Sequence, residues 1–501
     1  MTTDAISVLG AGSWGTALAV RLATNHNTTA LWGHEPEFMQ RLAHERQNSE
    51  YLPGTVFPDN LVIEPDLSRA IGNSRDLLLA VPSHAFREVL LQMQPALQPH
   101  HRIAWATKGL EHGSGKFMSE VLDEVLDSKY PSAVISGPTF ALEVAAGLPT
   151  ALTSASTNPV FANDMARHLH GDVMRVYTSD DITGVQLGGT VKNVLAIAAG
   201  ITDGMQLGAN SRAALITRGL AEIIRLGDAM GARRETLMGL AGVGDLILTC
   251  TDDQSRNRRL GLALGTGTPL EIAVQEIGQV VEGFNTAREV VQLAHDFKVD
   301  MPISGPTFAL EVAAGLPTAL TSASTNPVFA NDMARRLHGD VIRVYTSDDV
   351  TGVQLGGTVK NVLAIASGIT DGRHLGANSR AALITRGLAE IIRLGDAMGA
   401  RRETLMGLAG VGDLILTCTD DQSRNRRLGL ALGRGTQLDI AVQEIGQVVE
   451  GFNTAREVVQ LAHDFKVDMP ISEQVYRVLH DGLPPEAAVH NLLGRDIRRE
   501  F

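Results

Sequence analysis

Residues 136–303 recur almost unchanged as residues 304–471, at an offset of 168. Nine positions separate the copies: His168/Arg336, Met174/Ile342, Ile182/Val350, Ala199/Ser367, Met205/Arg373, Gln206/His374, Thr266/Arg434, Pro269/Gln437 and Glu271/Asp439. Solenoid repeats run to roughly 20–50 residues, so this block is a duplicated, domain-sized unit rather than one turn of a superhelix. Both ends of the block read Ile-Ser, at Ile135-Ser136 and at Ile471-Ser472, and a recombination at that dipeptide explains the junction. Removing one copy leaves 333 of the 501 residues, a common length for a two-domain enzyme.

A net charge of −13 argues against nucleic-acid or anionic-membrane binding, which need basic fields. The cysteines, Cys250 and Cys418, are equivalent residues of the two copies. One thiol per block gives no disulfide framework and fits a reducing, cytoplasmic setting. No apolar run reaches the ~18 residues of a membrane span. The start, MTTDAISVLG, lacks the basic and apolar regions of a secretory signal. No metal site is expected.

The N-terminal part reads as alternating strands and helices. Ile6–Leu9 is a short β-rich run, GAGSWG follows, and Thr16–Ala23 is helix-like. Gly10, Gly12 and Gly15 thus fit the dinucleotide fingerprint G-x-G-x-x-G in its required strand–loop–helix setting. The first glycine makes the turn, the second admits the pyrophosphate and the third lets helix and strand pack. After the second strand, Thr28–Leu31, come His34 and Glu35 in place of a clear ribose-reading acid. His34 at that tip suits a 2′-phosphate, whereas Glu35 would suit a free 2′-hydroxyl, so both NADP and NAD are expected. Further strands are predicted at Leu77–Val81, Ile103–Thr107, Val134–Ser136, Thr150–Ser154 and Val173–Thr178, with a helix at Pro159–His168. Lys108 and Gly137 follow strand ends, where ligands of open α/β sheets sit.

From Asp180 the pattern turns helical: Val185–Ala199, Ser211–Met230, Leu270–Val281 and Thr286–Phe297. The second copy repeats that order, but its sheet-like opening, Ser304–Ser347, follows KVDMPI instead of an apolar strand. The tail predicts two helices, Ser472–Leu479 and Pro485–Leu493. The stretch VQLGGTVKN, at Val185–Asn193 and again at Val353–Asn361, places one lysine, Lys192 or Lys360, in an uncharged run. In a helix, Gly188, Lys192 and Ala196 share a face of small residues that a ligand or another backbone can approach. Desolvation there favours the neutral amine, which suits it to exchange a proton. A long lysine stem can also snorkel to water from such a helix.

GAGSWGTALA, ATKG, SGPTFA, VQLGGTVKN, GDLILTCTDDQSRNRR and GQVVEG occur in this order. Together they resemble the bacterial NAD(P)-dependent glycerol-3-phosphate dehydrogenases over the whole chain once the extra block is set aside. The resemblance implies a Rossmann-type α/β domain followed by an all-α substrate domain like the C-terminal domain of 6-phosphogluconate dehydrogenase, here duplicated. It implies interconversion of sn-glycerol 3-phosphate and dihydroxyacetone phosphate in glycerophospholipid precursor synthesis, with Lys192 as proton acceptor or donor. Lys108, Gly137, Thr139, Asp245, Ser255, Arg256 and Asn257 match substrate-binding positions, and Asn193 and Thr249 match further active-site positions. Ser13, Trp14, His34, Lys108, Ala141, Arg256, Val280 and Glu282 match cofactor contacts beside the glycine loop. The second copy carries Gly305, Thr307, Lys360, Asp413, Ser423, Arg424 and Asn425, with Ala309, Val448 and Glu450 on the cofactor side.

The chain departs from that family in having one cofactor domain for two substrate domains. The expected units are 1–180, 181–303, the sheet fragment 304–348, and 349–501. Adjacency of consecutive elements favours copy 1 as the partner of the cofactor domain, while the single C-terminal tail favours copy 2. The other copy would dock as a pseudo-dimer partner inside the chain; a homo-oligomer is the other arrangement. A cofactor-binding but inactive variant, and a related hydroxy-acid dehydrogenase, are the competing functions.

Overall fold

The computed structural model describes residues 5–25, 28–277, 311–312, 314–446 and 449–493. The predicted helix Thr286–Phe297 and the KVDMPI stretch lie outside them.

The N-terminal part is built on an eight-stranded sheet. Its strands are β1 (Ile6–Leu9), β2 (Thr29–Trp32), β5 (Leu61–Ile63), β6 (Asp76–Leu79), β7 (Arg102–Trp105), β8 (Ser132–Ser136), β9 (Thr150–Ala155) and β10 (Met174–Ser179). The short pair β3 (Gln47–Asn48) and β4 (Leu52–Val56) stands apart from it. The order across the sheet is β10-β9-β8-β7-β6-β1-β2-β5, and only the β8–β9 pairing is antiparallel. Strands β1, β2, β6 and β7 are buried at every residue, as their continuous apolar runs require when helices cover both faces. One face packs the helices Ser13–Thr24 and Pro159–Leu169, and the other packs Phe86–Met93 and Met118–Leu126. At the N-terminal strand ends, Arg102 grips Asp76 through two hydrogen bonds of 2.6 Å, with His168 at 3.1 Å.

Each block then contributes a pair of long antiparallel helices, Ile182–Gly204 with Gly208–Ala229 and Val350–Gly372 with Gly376–Met398. These are longer than the apolar pattern alone indicates, because Asp181 and Asp349 cap them early, at Gly184 N and Gly352 N. Gly200 and Gly261 let the first helix cross Arg256–Gly265 at backbone contact; a Cβ on either would lie 2.2 or 2.0 Å from a carbonyl oxygen of the other helix. Apolar residues of both blocks, from Leu187 to Ile471, form one continuous cluster. The tail helices Pro470–His480 and Pro485–Leu493 pack onto copy 2.

The second sheet opening survives as a parallel pair, β11 (Thr318–Ala323) with β12 (Ile342–Ser347). The two copies exchange partners across a pseudo-twofold arrangement. The Gly208–Ala229 helix of copy 1 packs on β11, and the Gly376–Met398 helix of copy 2 packs on β9. Arg234 meets Glu403 at 3.2 Å while Arg402 meets Glu235 at 2.8 Å. Among the described residues no helix is long and apolar enough to cross a membrane.

Candidate active site

The parallel strands point their C-terminal ends to one edge. β1 delivers the glycine loop there, β7 delivers Lys108 and β8 delivers Gly137. β7 stands two strands from β1, about 10 Å at the usual strand spacing. A dinucleotide laid along that edge therefore runs from the glycine loop toward Lys108.

The loop suits a pyrophosphate. Gly10 has φ +127°, and a Cβ there would strike the Ala80 carbonyl oxygen at 2.5 Å. Gly12 has no atom within 4 Å of a Cβ position, and the helix Ser13–Thr24 that it opens has no side-chain cap. Its free N–H groups face outward, which favours phosphate. Gly15 touches the Gly10 backbone, as the third glycine must. Ser13 and Trp14 form the first turn of that helix, and the Trp14 Nε1 is buried with no hydrogen-bond partner. At the β2 tip His34 and Glu35 are mostly exposed, 3.3 Å apart, open to a ribose and its 2′ substituent. These residues fit an NAD or NADP molecule.

On the helical side, Lys192 is 8% exposed. Its Nζ donates to Asp245 Oδ1 at 2.9 Å and to Thr249 Oγ1 at 2.8 Å. The other oxygen, Asp245 Oδ2, accepts from Lys108 Nζ at 2.6 Å, and Lys108 also donates to the Gly137 carbonyl at 3.0 Å. One fully buried carboxylate thus joins an amine from the sheet edge to an amine from the helix Ile182–Gly204. Asp245 is more than a helix cap: it is the first residue of Asp245–Thr251, where the helix dipole favours its charge. Two ammonium groups around one carboxylate leave a surplus positive charge for an anionic substrate.

Of the two approaches that the small-residue face allows, ligand or backbone, Gly188 admits a backbone. Gly188 is packed against the backbone of Ala241 and Gly242, where its Cβ would lie 2.5 Å from a carbonyl oxygen. The neighbour Gly189 faces the sheet domain, where a Cβ would lie 3.2 Å from the Ser136 hydroxyl and 3.7 Å from the Lys108 stem.

The remaining candidates gather around this cluster. Asn193 Oδ1 accepts from Asn257 Nδ2 at 3.0 Å, tying the lysine helix to Arg256–Gly265. Ser255 caps that helix, and Arg256 is its first residue. Thr139 Oγ1 donates to the Gly137 carbonyl at 3.2 Å, and Ala141 opens the helix Ala141–Ala145. Gly137 sits at φ +151°, with a Cβ position 2.9 Å from the Ala151 carbonyl oxygen.

Copy 2 repeats only the helical half. Lys360 pairs with Asp413, and Asn361 accepts from Asn425 at 2.9 Å and donates to Glu450 at 3.2 Å. Ser423 caps Arg424–Gly433. No strand end meets this cluster among the described residues: Gly357, the equivalent of Gly189, has nothing within 4 Å of a Cβ position. The Lys360 and Asp413 side chains are 20% and 23% exposed, against 10% and 1% for Lys192 and Asp245. Val280, Glu282, Gly305, Thr307, Ala309 and Val448 lie outside the described residues.

Sequence reasoning missed Glu143 and Asn378. Glu143 accepts from Ala377 N, Asn378 N and the Gln254 side chain, and Asn378 pairs with the Phe140 backbone. Those contacts join residues more than 100 positions apart, and no motif marks them.

Comparison with known proteins agrees with this geometry. The profile of the NAD-dependent glycerol-3-phosphate dehydrogenase N-terminus matches residues 5–162. The profile of the C-terminus of the same family matches twice, at residues 181–310 and 349–490. The chain is 57% identical over 304 residues to a glycerol-3-phosphate dehydrogenase [NAD(P)+] of Actinobacillus pleuropneumoniae, covering 60% of this chain and 90% of that protein. It is 56% identical over 305 residues to the protein of that name from Pasteurella multocida, covering 61% and 90%. Among solved structures, glycerol-3-phosphate dehydrogenase of Saccharomyces cerevisiae aligns with a TM-score of 0.54 at 27% identity, covering 59% of this chain and 91% of that one. With a glycine loop, a Rossmann-type sheet and a helical domain present twice, this chain belongs to the NAD-dependent glycerol-3-phosphate dehydrogenase family, as an enzyme that uses NAD or NADP.

Proposed function

We propose that copy 1 carries the working site and that Lys192 moves the proton in the interconversion of dihydroxyacetone phosphate and sn-glycerol 3-phosphate. The observation that carries this reading is the Lys108–Asp245–Lys192 cluster, which joins the cofactor edge to a substrate domain at copy 1. A dinucleotide held at the glycine loop, residues 10–15, would supply the nicotinamide that gives or takes the hydride at C2. In the reducing direction the Lys192 ammonium donates a hydrogen bond to the C2 carbonyl oxygen, stabilises its developing negative charge, and delivers the proton. In oxidation the neutral amine takes the C2 hydroxyl proton. Asp245 and Thr249 fix the direction of the amine.

Arg256 grips the phosphate through paired N–H groups, with Ser255 and Asn257 adding neutral hydrogen bonds. Lys108 contributes a second positive charge at the sheet edge. Packing of the Lys192 helix against the strand ends excludes water and strengthens these contacts. The product is a precursor for glycerophospholipids, and the free cysteines Cys250 and Cys418 suit a cytoplasmic enzyme.

Purified protein oxidising NADPH only when dihydroxyacetone phosphate is added supports the reading. Binding of NADPH without any turnover would favour the inactive variant. Turnover of a 2-keto acid in place of the phosphate ester would favour a hydroxy-acid dehydrogenase.

A further inference from the structure

We propose that the Gly376–Met398 helix of copy 2 is a working part of the copy-1 active site, with Asn378 and Arg380 as positioning residues. This rests on the reading that Lys192 of copy 1 is the proton-transferring group.

The helix reaches three segments beside the cluster: the loop after β8, the turn at Asp252 and the residue before Asp245. Asn378 Oδ1 accepts from Phe140 N at 2.7 Å, and its Nδ2 donates to the Phe140 carbonyl and to Thr150 Oγ1, both at 3.3 Å. Phe140 links Thr139 to Ala141, so this pairing holds the loop that follows β8. The N-terminal amides of the helix, Ala377 N and Asn378 N, donate to the Glu143 carboxylate at 2.9 and 2.8 Å. The same carboxylate accepts from Gln254 Nε2 at 2.9 Å. Arg380 is anchored by Asp371 of its own copy at 3.0 Å and extends Nη2 to Asp252 Oδ2 at 3.3 Å. Asp252 in turn organises the substrate turn: its Oδ1 accepts from Gln254 N at 3.0 Å and its carbonyl from Ser255 N at 3.1 Å. That turn presents Ser255, Arg256 and Asn257. Thr385 Oγ1 lies 2.7 Å from the Cβ position of Gly244, the residue before Asp245.

The pseudo-symmetry makes the consequence unequal. In copy 1 the equivalent helix supports copy 2: Ala209 N and Asn210 N donate to Glu311 at 3.0 and 2.9 Å, and Asn210 Nδ2 reaches Thr318 at 3.3 Å. Those contacts serve the half-site around Lys360, which meets no strand end among the described residues. Identical asparagines at 210 and 378 therefore have different duties, and the one that matters for turnover sits in the copy that does not hold Lys192.

Steady-state kinetics of Arg380→Ala, Arg380→Lys, Asn378→Ala and Asn210→Ala on the full chain test this, with thermal melting to confirm folding. Losing a hydrogen bond between charged groups that orders the turn is expected to raise KM for dihydroxyacetone phosphate about tenfold in Arg380→Ala, with KM for NADPH unchanged. Arg380→Lys should recover part of that loss, and the losses of Arg380→Ala and Asp252→Ala should be less than additive, since both remove the one contact between them. Asn378→Ala, if folded, should act like Arg380→Ala, and Asn210→Ala should leave the constants unchanged. If Asn378→Ala does not fold, the Arg380 pair decides. Unchanged KM for dihydroxyacetone phosphate in Arg380→Ala, or an equal loss in Asn210→Ala, overturns the proposal while leaving the Lys192 reading intact. Full turnover by Lys192→Ala would instead remove the reading beneath it.

Discussion

Replacing Asp245 by Asn removes one charge and almost no volume. The Asp245 side chain is 1% exposed and holds two amines, Lys108 at 2.6 Å and Lys192 at 2.9 Å. Without the carboxylate those ammonium groups lose the charge between them, and two like charges ~5 Å apart repel by roughly 3 kcal/mol at an effective dielectric of 20. Breaking a buried pair from one side costs a comparable ~3–5 kcal/mol. Copy 2 offers the matched control. Among the described residues Asp413 holds Lys360 and no second amine, with both side chains about one-fifth exposed, so its loss costs less than that of Asp245. If about 3 kcal/mol of ordering leaves the site, kcat/KM for dihydroxyacetone phosphate falls about 100-fold or more in Asp245→Asn. Asp413→Asn should stay within about twofold of the parent. Both are read by NADPH oxidation under saturating cofactor. Equal activity of the two variants would refute the reasoning, since the charge cluster would then carry no catalytic weight.

The glycine pair gives a second contrast. Gly357→Ala fills open space on a helix and should raise stability by about 0.5–1 kcal/mol with no change in turnover, whereas Gly189→Ala crowds the Ser136 hydroxyl at 3.2 Å beside the Lys108 stem and should lower kcat/KM severalfold; melting curves and kinetics on both variants check this. A pH effect is expected at the tail. Burial pushes the Glu390 carboxyl up to about 7 from 4.5, against the pull of the Ile471 and Ser472 N–H groups and the Ser472 hydroxyl that it caps. Because the folded value is raised, its contribution of about 3 kcal/mol is fully present below pH ~4.5 and is lost as pH rises through ~7. Melting of the parent against Glu390→Gln across that window should converge at low pH and separate at high pH, with the variant the more stable; parallel curves would contradict it.

Much of the fold was legible because its signals are local. The apolar runs at Ile6–Leu9 and Leu77–Leu79 are strands buried on both faces, and the glycine spacing fixes the turn between β1 and its helix. The tail helix predicted at Pro485–Leu493 has those bounds. Lys192, Asp245 and Thr249 meet because they lie on facing helices, 53 and 57 positions apart, which motif order suggests but spacing alone does not reveal. Residue identity could not choose between the copies, since every candidate residue inside the duplicated block is identical in both; adjacency favoured copy 1 and the single tail favoured copy 2. The proposal for copy 1 rests on strand β8, which joins that copy to the core sheet and pairs with β9 and β7. The cross-copy contacts at Phe140 and Asp252 were equally hidden, because a buried asparagine and a paired arginine carry no periodicity.

The most direct test is to replace Lys192 and Lys360 one at a time by Ala and to follow dihydroxyacetone-phosphate-dependent NADPH oxidation. The account predicts that Lys192→Ala loses at least about 100-fold in kcat, the contribution of one positioned proton donor, while NADPH binding persists. Lys360→Ala should retain the parent rate. Loss of turnover in Lys360→Ala with full activity in Lys192→Ala would contradict it.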